Sequence, residues 1–212
     1  AYAEQYPEII NLLPSNINIG LSKNFIRTLQ ACRGEYIALC EGDDYWTDPL
    51  KLQKQVDFFR ANPSVVFNFH AAQVFDESTK SFYPYYKHSQ FKTGIIDRKW
   101  LFEKGGGSFA TPSAMFKSGI LKYPDWFVNA PTGDFPLMLL AIQTGDFGYI
   151  DSAMCVYRSA SIVSWSSSFK DFETYKKYFD AEEKMITAFN IDSEFKFNNW
   201  LSSLNYLRVY RL

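Results

Sequence analysis

The chain has 212 residues, 47% hydrophobic and 18% aromatic, with a formal net charge of -1. That length can bury one sizeable core, and the charge balance leaves no basic footprint, which excludes nucleic acid as the expected partner. Cys32, Cys40 and Cys155 are odd in number, widely spaced and set in apolar surroundings. They read as buried thiols of a reducing compartment, not as a disulfide framework or a zinc site. No apolar run approaches the ~20 residues of a membrane span, and AYAEQYPEII carries no signal-peptide pattern, so the expected compartment is the cytoplasm.

In chain order, Glu8 to Leu13 is a short apolar run with the length of a strand, followed by the turn-rich PSNINIG. Ser22 is the expected N-cap of a helix in which Phe25, Leu29 and Cys32 recur at helical spacing, with Gly34 at its stop. EYIALC then reads as a strand. Asp48 and Pro49 suit the N-cap and first residue of the helix PLKLQKQVDFFRAN, which should end at Asn62-Pro63. SVVFNF and AAQVF are further strands, KGGGS (104–108) a flexible loop, FATPSAMF a strand containing a proline, and Asp134 to Gln143 a short apolar helix. From Phe169 onward the pattern is mostly helical. This order predicts an α/β fold with an at least partly parallel sheet. The domain is expected over 1–168, with a helical extension, 169–212, packed back on it.

Within LCEGDDYW, Glu41, Asp43 and Asp44 crowd three acidic groups at the carboxyl end of a strand, where open sheets place ligands. Like charges this close repel. A shared divalent cation would convert that repulsion into coordination, and a cation holding a diphosphate would make the cluster a nucleotide-sugar site. On spacing alone, a solvated acidic loop is the commoner outcome.

The stretch NINIGLSKNFIRTLQACRGEYIALCEGDDYWTDPLKLQKQVDFF, together with GGGSFATPSAMF and APTGDFPLMLLAIQTGDFGYIDSAMCVYR, resembles the inverting family 2 glycosyltransferases of GT-A fold. The resemblance covers most of Ile9 to Arg158. It implies a GT-A-like mixed sheet flanked by helices and transfer of a sugar from a nucleotide-sugar donor to a saccharide or lipid-linked acceptor, as in surface polysaccharide or lipopolysaccharide synthesis. By position, Glu41 and Asp43 match the two acids of the family's Asp-x-Asp motif and would hold Mn²⁺ or Mg²⁺. Asp44 would stand behind them or face the sugar. Asp134 matches the general base, although an N-cap role is compatible with the same place.

Lys23, Asn24 and Arg158 are expected near the donor. Trp126 and Phe127, with Ser113, are expected on the acceptor side, although core packing is the commoner fate of such aromatics. The family pattern begins with a strand, helix and strand that hold the nucleotide base, and the residues here align after them. A truncated, non-catalytic domain that binds a glycan or a protein is therefore the alternative. Glu41 stands where Asp is usual, and Ala160 where relatives often carry His. A nucleotidyltransferase is disfavoured by the lack of a Gly-rich, basic phosphate loop. His70 and His88 lack metal-ligand spacing. The aromatic, lysine-bearing tail offers a peripheral membrane contact as a further alternative to packing on the domain.

Overall fold

The computed structural model describes residues 2–85, 91–159, 171–201 and 204. Two mixed sheets flanked by helices form the fold, in agreement with the α/β expectation. In the first sheet, β1 (Tyr36–Ala38), β7 (Met115–Lys117), β3 (Val65–His70), β8 (Asp146–Ile150) and β6 (Gly94–Ile96) stand side by side in that order. β7 is antiparallel to both β1 and β3, and β3 is parallel to β8. The carboxyl ends of β1, β3 and β8 therefore share one edge of the sheet with the start of β7. The second sheet orders β2 (Tyr45–Trp46), β9 (Cys155–Ser159), β4 (Gln73–Asp76) and β5 (Ser81–Pro84), with β9 and β4 parallel. Only a short turn separates β1 from β2, so residues 39–44 pass from one sheet to the other.

The helices are α1 (Tyr2–Gln5), α2 (Leu21–Ala31), α3 (Lys51–Ala61), α4 (Arg98–Lys104), α5 (Asp125–Val128), α6 (Asp134–Thr144) and α7 (Phe172–Asp192), and the longer ones follow their apolar spacing. α3 (Lys51–Ala61) buries Lys51, Gln55, Phe58 and Phe59, one stripe of the helix. Asp48 caps the turn before it by accepting from the Leu50 N–H at 2.8 Å, and the helix begins at Lys51, two residues beyond Pro49. α6 (Asp134–Thr144) buries every residue from Phe135 to Ile142 because it runs through the middle of the core. α7 (Phe172–Asp192) is amphipathic: Glu182, Met185, Ile186 and Phe189 face inward, and the Asp171 side chain caps it by accepting from the Thr174 N–H. Phe189 stacks with Phe197 and meets Phe102 and Trp126, which joins α7 to the same hydrophobic core as the first sheet.

Several sequence expectations are corrected. Residues 8–13 form turns and irregular chain, because the segment has no partner strand and leaves Ile9 and Leu12 largely exposed. α2 (Leu21–Ala31) is entered through Gly20, not capped by Ser22, whose hydroxyl instead donates to the Ala130 carbonyl at 2.9 Å across the core. Gly34 lies beyond its end, with Cys32 as the C-cap. FATPSAMF divides into a 3₁₀ turn at Thr111–Ser113 and strand β7, since Pro112 cannot donate to a ladder. Cys155 is buried, but Cys32 and Cys40 are exposed; all three are free. His88, Ala160 and the tail beyond 204 lie outside the described residues.

Candidate active site

The turn after β1 is built by Gly42 and closed by the Asp44 N–H donating to the Glu41 carbonyl at 3.1 Å. It brings ligand atoms of Glu41, Asp43 and Asp44 within 4.8 Å of one another. Asp44 is anchored across the sheets, with one carboxylate oxygen accepting from the Arg158 N–H at 2.8 Å. Its other oxygen, Oδ2, is buried without a hydrogen-bond partner among the described residues. Burial, opposed by that Arg158 hydrogen bond and reinforced by Asp43, pushes the Asp44 carboxyl up to about 6. Glu41 reaches solvent on one side, yet loss of water, then the charges of Asp44, Asp134 and Asp43, push it up to about 7, against a hydrogen bond with Thr111. All-oxygen donors, net negative charge and the unsatisfied Asp44 oxygen fit a hard divalent cation such as Mn²⁺ or Mg²⁺, which Glu41 and Asp43 would hold with Asp44 adjoining.

Glu41 lines a cavity of about 650 Å³, and Asp134 lines the same cavity. Asp134 is the first residue of α6, and the N-cap place that its sequence position also suits is taken by Gly133. Gly133 sits tightly: an added Cβ would stand 3.0 Å from the Phe25 ring of α2, which would have to give by a few tenths of an ångström. That close approach sets the start of α6 against α2. The KGGGS loop is also part of the wall, with Gly105 and Gly107 at positive φ. The Gly107 N–H approaches Asp134 Oδ2 at 3.4 Å, and the Gly107 carbonyl accepts from the Tyr85 hydroxyl at 2.6 Å.

The other expected site residues divide. Arg158 supplies its backbone to Asp44, but its guanidinium is paired with Glu77, so the side chain serves the second sheet. Lys23 is exposed on α2, and Asn24 lines a smaller hollow with Asn18 and Gly20, where its side chain accepts from Arg27. Neither lines the main cavity. Trp126 and Phe127 correct the acceptor expectation: both are buried in the core on α5 (Asp125–Val128), and the Trp126 indole donates to Asp192 at 3.0 Å. Ser113 is fully buried and donates to the Ala110 carbonyl, so it too is structural.

The cavity contains residues that the sequence reading passed over. Tyr157, one place before Arg158, lines it, and burial followed by Asp44 and Glu41 pushes its phenol up to about 12. Tyr175, Tyr178, Phe179 and Glu182 of α7 form another wall. Their i, i+3, i+4, i+7 spacing was a legible signal of one helical face. Among the described residues, no helix is long and apolar enough to cross a membrane.

Three comparisons bear on this arrangement. The "Uncharacterized protein Mb1547" of Mycobacterium bovis and the "Uncharacterized protein Rv1520" of Mycobacterium tuberculosis are each 32% identical over 174 residues, covering 80% of this chain and 48% of their own. The chain thus spans about half the length of the curated relatives it matches. The crystal structure of S. aureus TarS 1-349 superimposes with a TM-score of 0.54 at 15% identity, covering 74% of this chain and 47% of that one. That likeness carries the fold and bears out the GT-A-like expectation. The Glycosyl transferase family 2 model matches residues 1–122, a span that includes the acidic turn and stops before Asp134. With more than half of its residues inside that match, the chain belongs to glycosyl transferase family 2.

Proposed function

We propose that the chain moves a sugar from a nucleotide-sugar donor to a saccharide or lipid-linked saccharide acceptor, with inversion and with a divalent cation, in the assembly of a surface polysaccharide or lipopolysaccharide. The observation that carries this reading is that Glu41, from the acidic turn, and Asp134, at a helix N-terminus, line one cavity.

In this reading Glu41 and Asp43 hold Mn²⁺ or Mg²⁺, which when bound offsets the charge on a departing diphosphate. Asp44, fixed by the Arg158 backbone, keeps that turn in place. Asp134 takes the proton of an acceptor hydroxyl as its oxygen bonds to the anomeric carbon from the face opposite the leaving group. The bond from that carbon to the diphosphate oxygen breaks, the electron pair leaves with the nucleoside diphosphate, and the configuration inverts. The Gly107 N–H, 3.4 Å from Asp134 Oδ2, bears on where that carboxylate points.

The test is calorimetric titration of the chain with UDP-, GDP- and dTDP-sugars in Mn²⁺ and again in EDTA. Binding of a donor that EDTA abolishes is the expected result. Donor binding that ignores the metal would remove the cation from the reading, and failure to bind any donor would favour a non-catalytic glycan- or protein-binding domain.

A further inference from the structure

We infer that the acceptor is held as a sugar ring against an aromatic wall contributed by α7, a helix beyond the matched family region. This deepens the reading above and rests on it. Tyr175, Tyr178 and Phe179 line the cavity together with Asp134, with Tyr85 and Tyr157 also on its wall. Tyr175 and Phe179 have ring centroids 5.2 Å apart, Tyr178 and Phe179 5.7 Å, and Tyr85 meets Tyr157 edge-on at 6.3 Å.

These rings offer apolar faces to the C–H face of a pyranose, and Glu182, in the same wall, offers a carboxylate to its hydroxyls. Side chains of both signs stand on this wall, Glu103 and Glu182 beside Lys104, and Glu103 is paired with Lys99 at 3.7 Å, so charge does not assign a diphosphate to it. The donor phosphates belong instead with the acidic turn, where a cation can mediate. The wall also takes over the role that Trp126 and Phe127, buried in the core, cannot fill.

The experiment is saturation-transfer NMR on the whole chain, using free trisaccharides of glucose, galactose, mannose, rhamnose and N-acetylglucosamine and the octyl glycosides of the same sugars. Tyr175 is 46% exposed, so Tyr175→Ala should leave the core intact; Tyr178→Ala is the second variant. At least one sugar should bind the unaltered chain, and each variant should weaken it by roughly three- to tenfold. Mn²⁺ titration of the same variants should be unchanged, which separates a failed acceptor wall from a failed metal and donor site. Equal binding of the free and octyl forms identifies a free glycan, and tighter octyl binding that still needs Tyr175 identifies a lipid-carried one; both uphold the wall. Binding of no sugar, binding indifferent to both tyrosines, or octyl binding that ignores Tyr175 would overturn it.

Discussion

Two polar clusters flank the turn between the sheets, and they are built on opposite principles. In one, Lys51 donates to Gln55 at 2.7 Å, Gln55 donates to Asn68 and to the Ser113 carbonyl, and Asn68 returns a bond to the Gln55 carbonyl. All four residues are buried, and the network ties α3 to β3 and to the 3₁₀ turn before β7. In the other, ligand atoms of Glu41, Asp43 and Asp44 lie within 4.8 Å of one another, and an oxygen of Asp44 has no hydrogen-bond partner among the described residues. A satisfied buried network specifies structure. A crowded cluster with an unsatisfied oxygen is a cost, and under the proposed function that cost is what a bound cation would offset at the acidic turn.

The contrast is broken most sharply by separating activity from stability. Asp134→Asn should lower sugar transfer by roughly 100- to 10,000-fold, with donor binding by calorimetry and the urea midpoint both retained. Retained transfer would remove Asp134 as the base. Gln55→Ala should do the reverse. It strands the Lys51 ammonium, Asn68 and the Ser113 carbonyl together, costing about 3 kcal/mol in urea unfolding. Glu41→Gln should leave the metal-free midpoint unchanged or raise it, because it removes one of the repelling charges. A large loss of stability in Glu41→Gln would show that the two clusters are not different in kind. Asp43→Asn is a smaller perturbation: with one charged ligand removed, Mn²⁺ binding should weaken by roughly tenfold, read by calorimetry against the unaltered chain.

The same contrast explains what could be read from sequence. The strand EYIALC, the acidic turn and the helix ending at Asn62-Pro63 are set by local signals: an apolar run, a glycine turn, a cap and a proline. These survive in the fold with boundaries shifted by a few residues. The start of α6 at Asp134 was legible from local signals, with Gly133 rather than Asp134 at the N-cap, whereas the expectation of a base there came from the resemblance alone. The strand expected at residues 8–13 failed because a strand needs a partner, which local composition cannot supply. Trp126 and Phe127 failed for a related reason: whether an aromatic pair faces a cavity or a core depends on the surface opposite, here Phe189 of α7, which is 63 residues beyond Trp126. The α7 wall had a readable stripe, but nothing local said that this stripe would close over Asp134. Arg158 was placed in the right strand, yet its guanidinium is claimed by Glu77.

The finest test of the comparison lies in Lys51. Burial pushes its ammonium down to about 8, while the Trp46 ring 4.3 Å from Nζ and the Gln55 oxygen keep the charged form tolerable. An unfolded lysine titrates near 10.4. Between those values the unfolded chain binds more protons than the folded one, so stability must rise with pH across that window. From pH 7 to pH 9 the gain from this one group is about 1 kcal/mol. From about pH 8 the Cys155 thiol, which burial holds up to about 12, opposes it, since an unfolded thiol ionises at about 8.5, so the Lys51 contribution is read as the difference in slope between the unaltered chain and Lys51→Met. Urea unfolding at pH 7, 8 and 9 should therefore show a rising midpoint in the unaltered chain and a flatter profile in Lys51→Met, whatever that variant's absolute stability. A midpoint equally flat in both would mean that Lys51 is paired as an ordinary cation and that its cluster is less dry than its burial indicates.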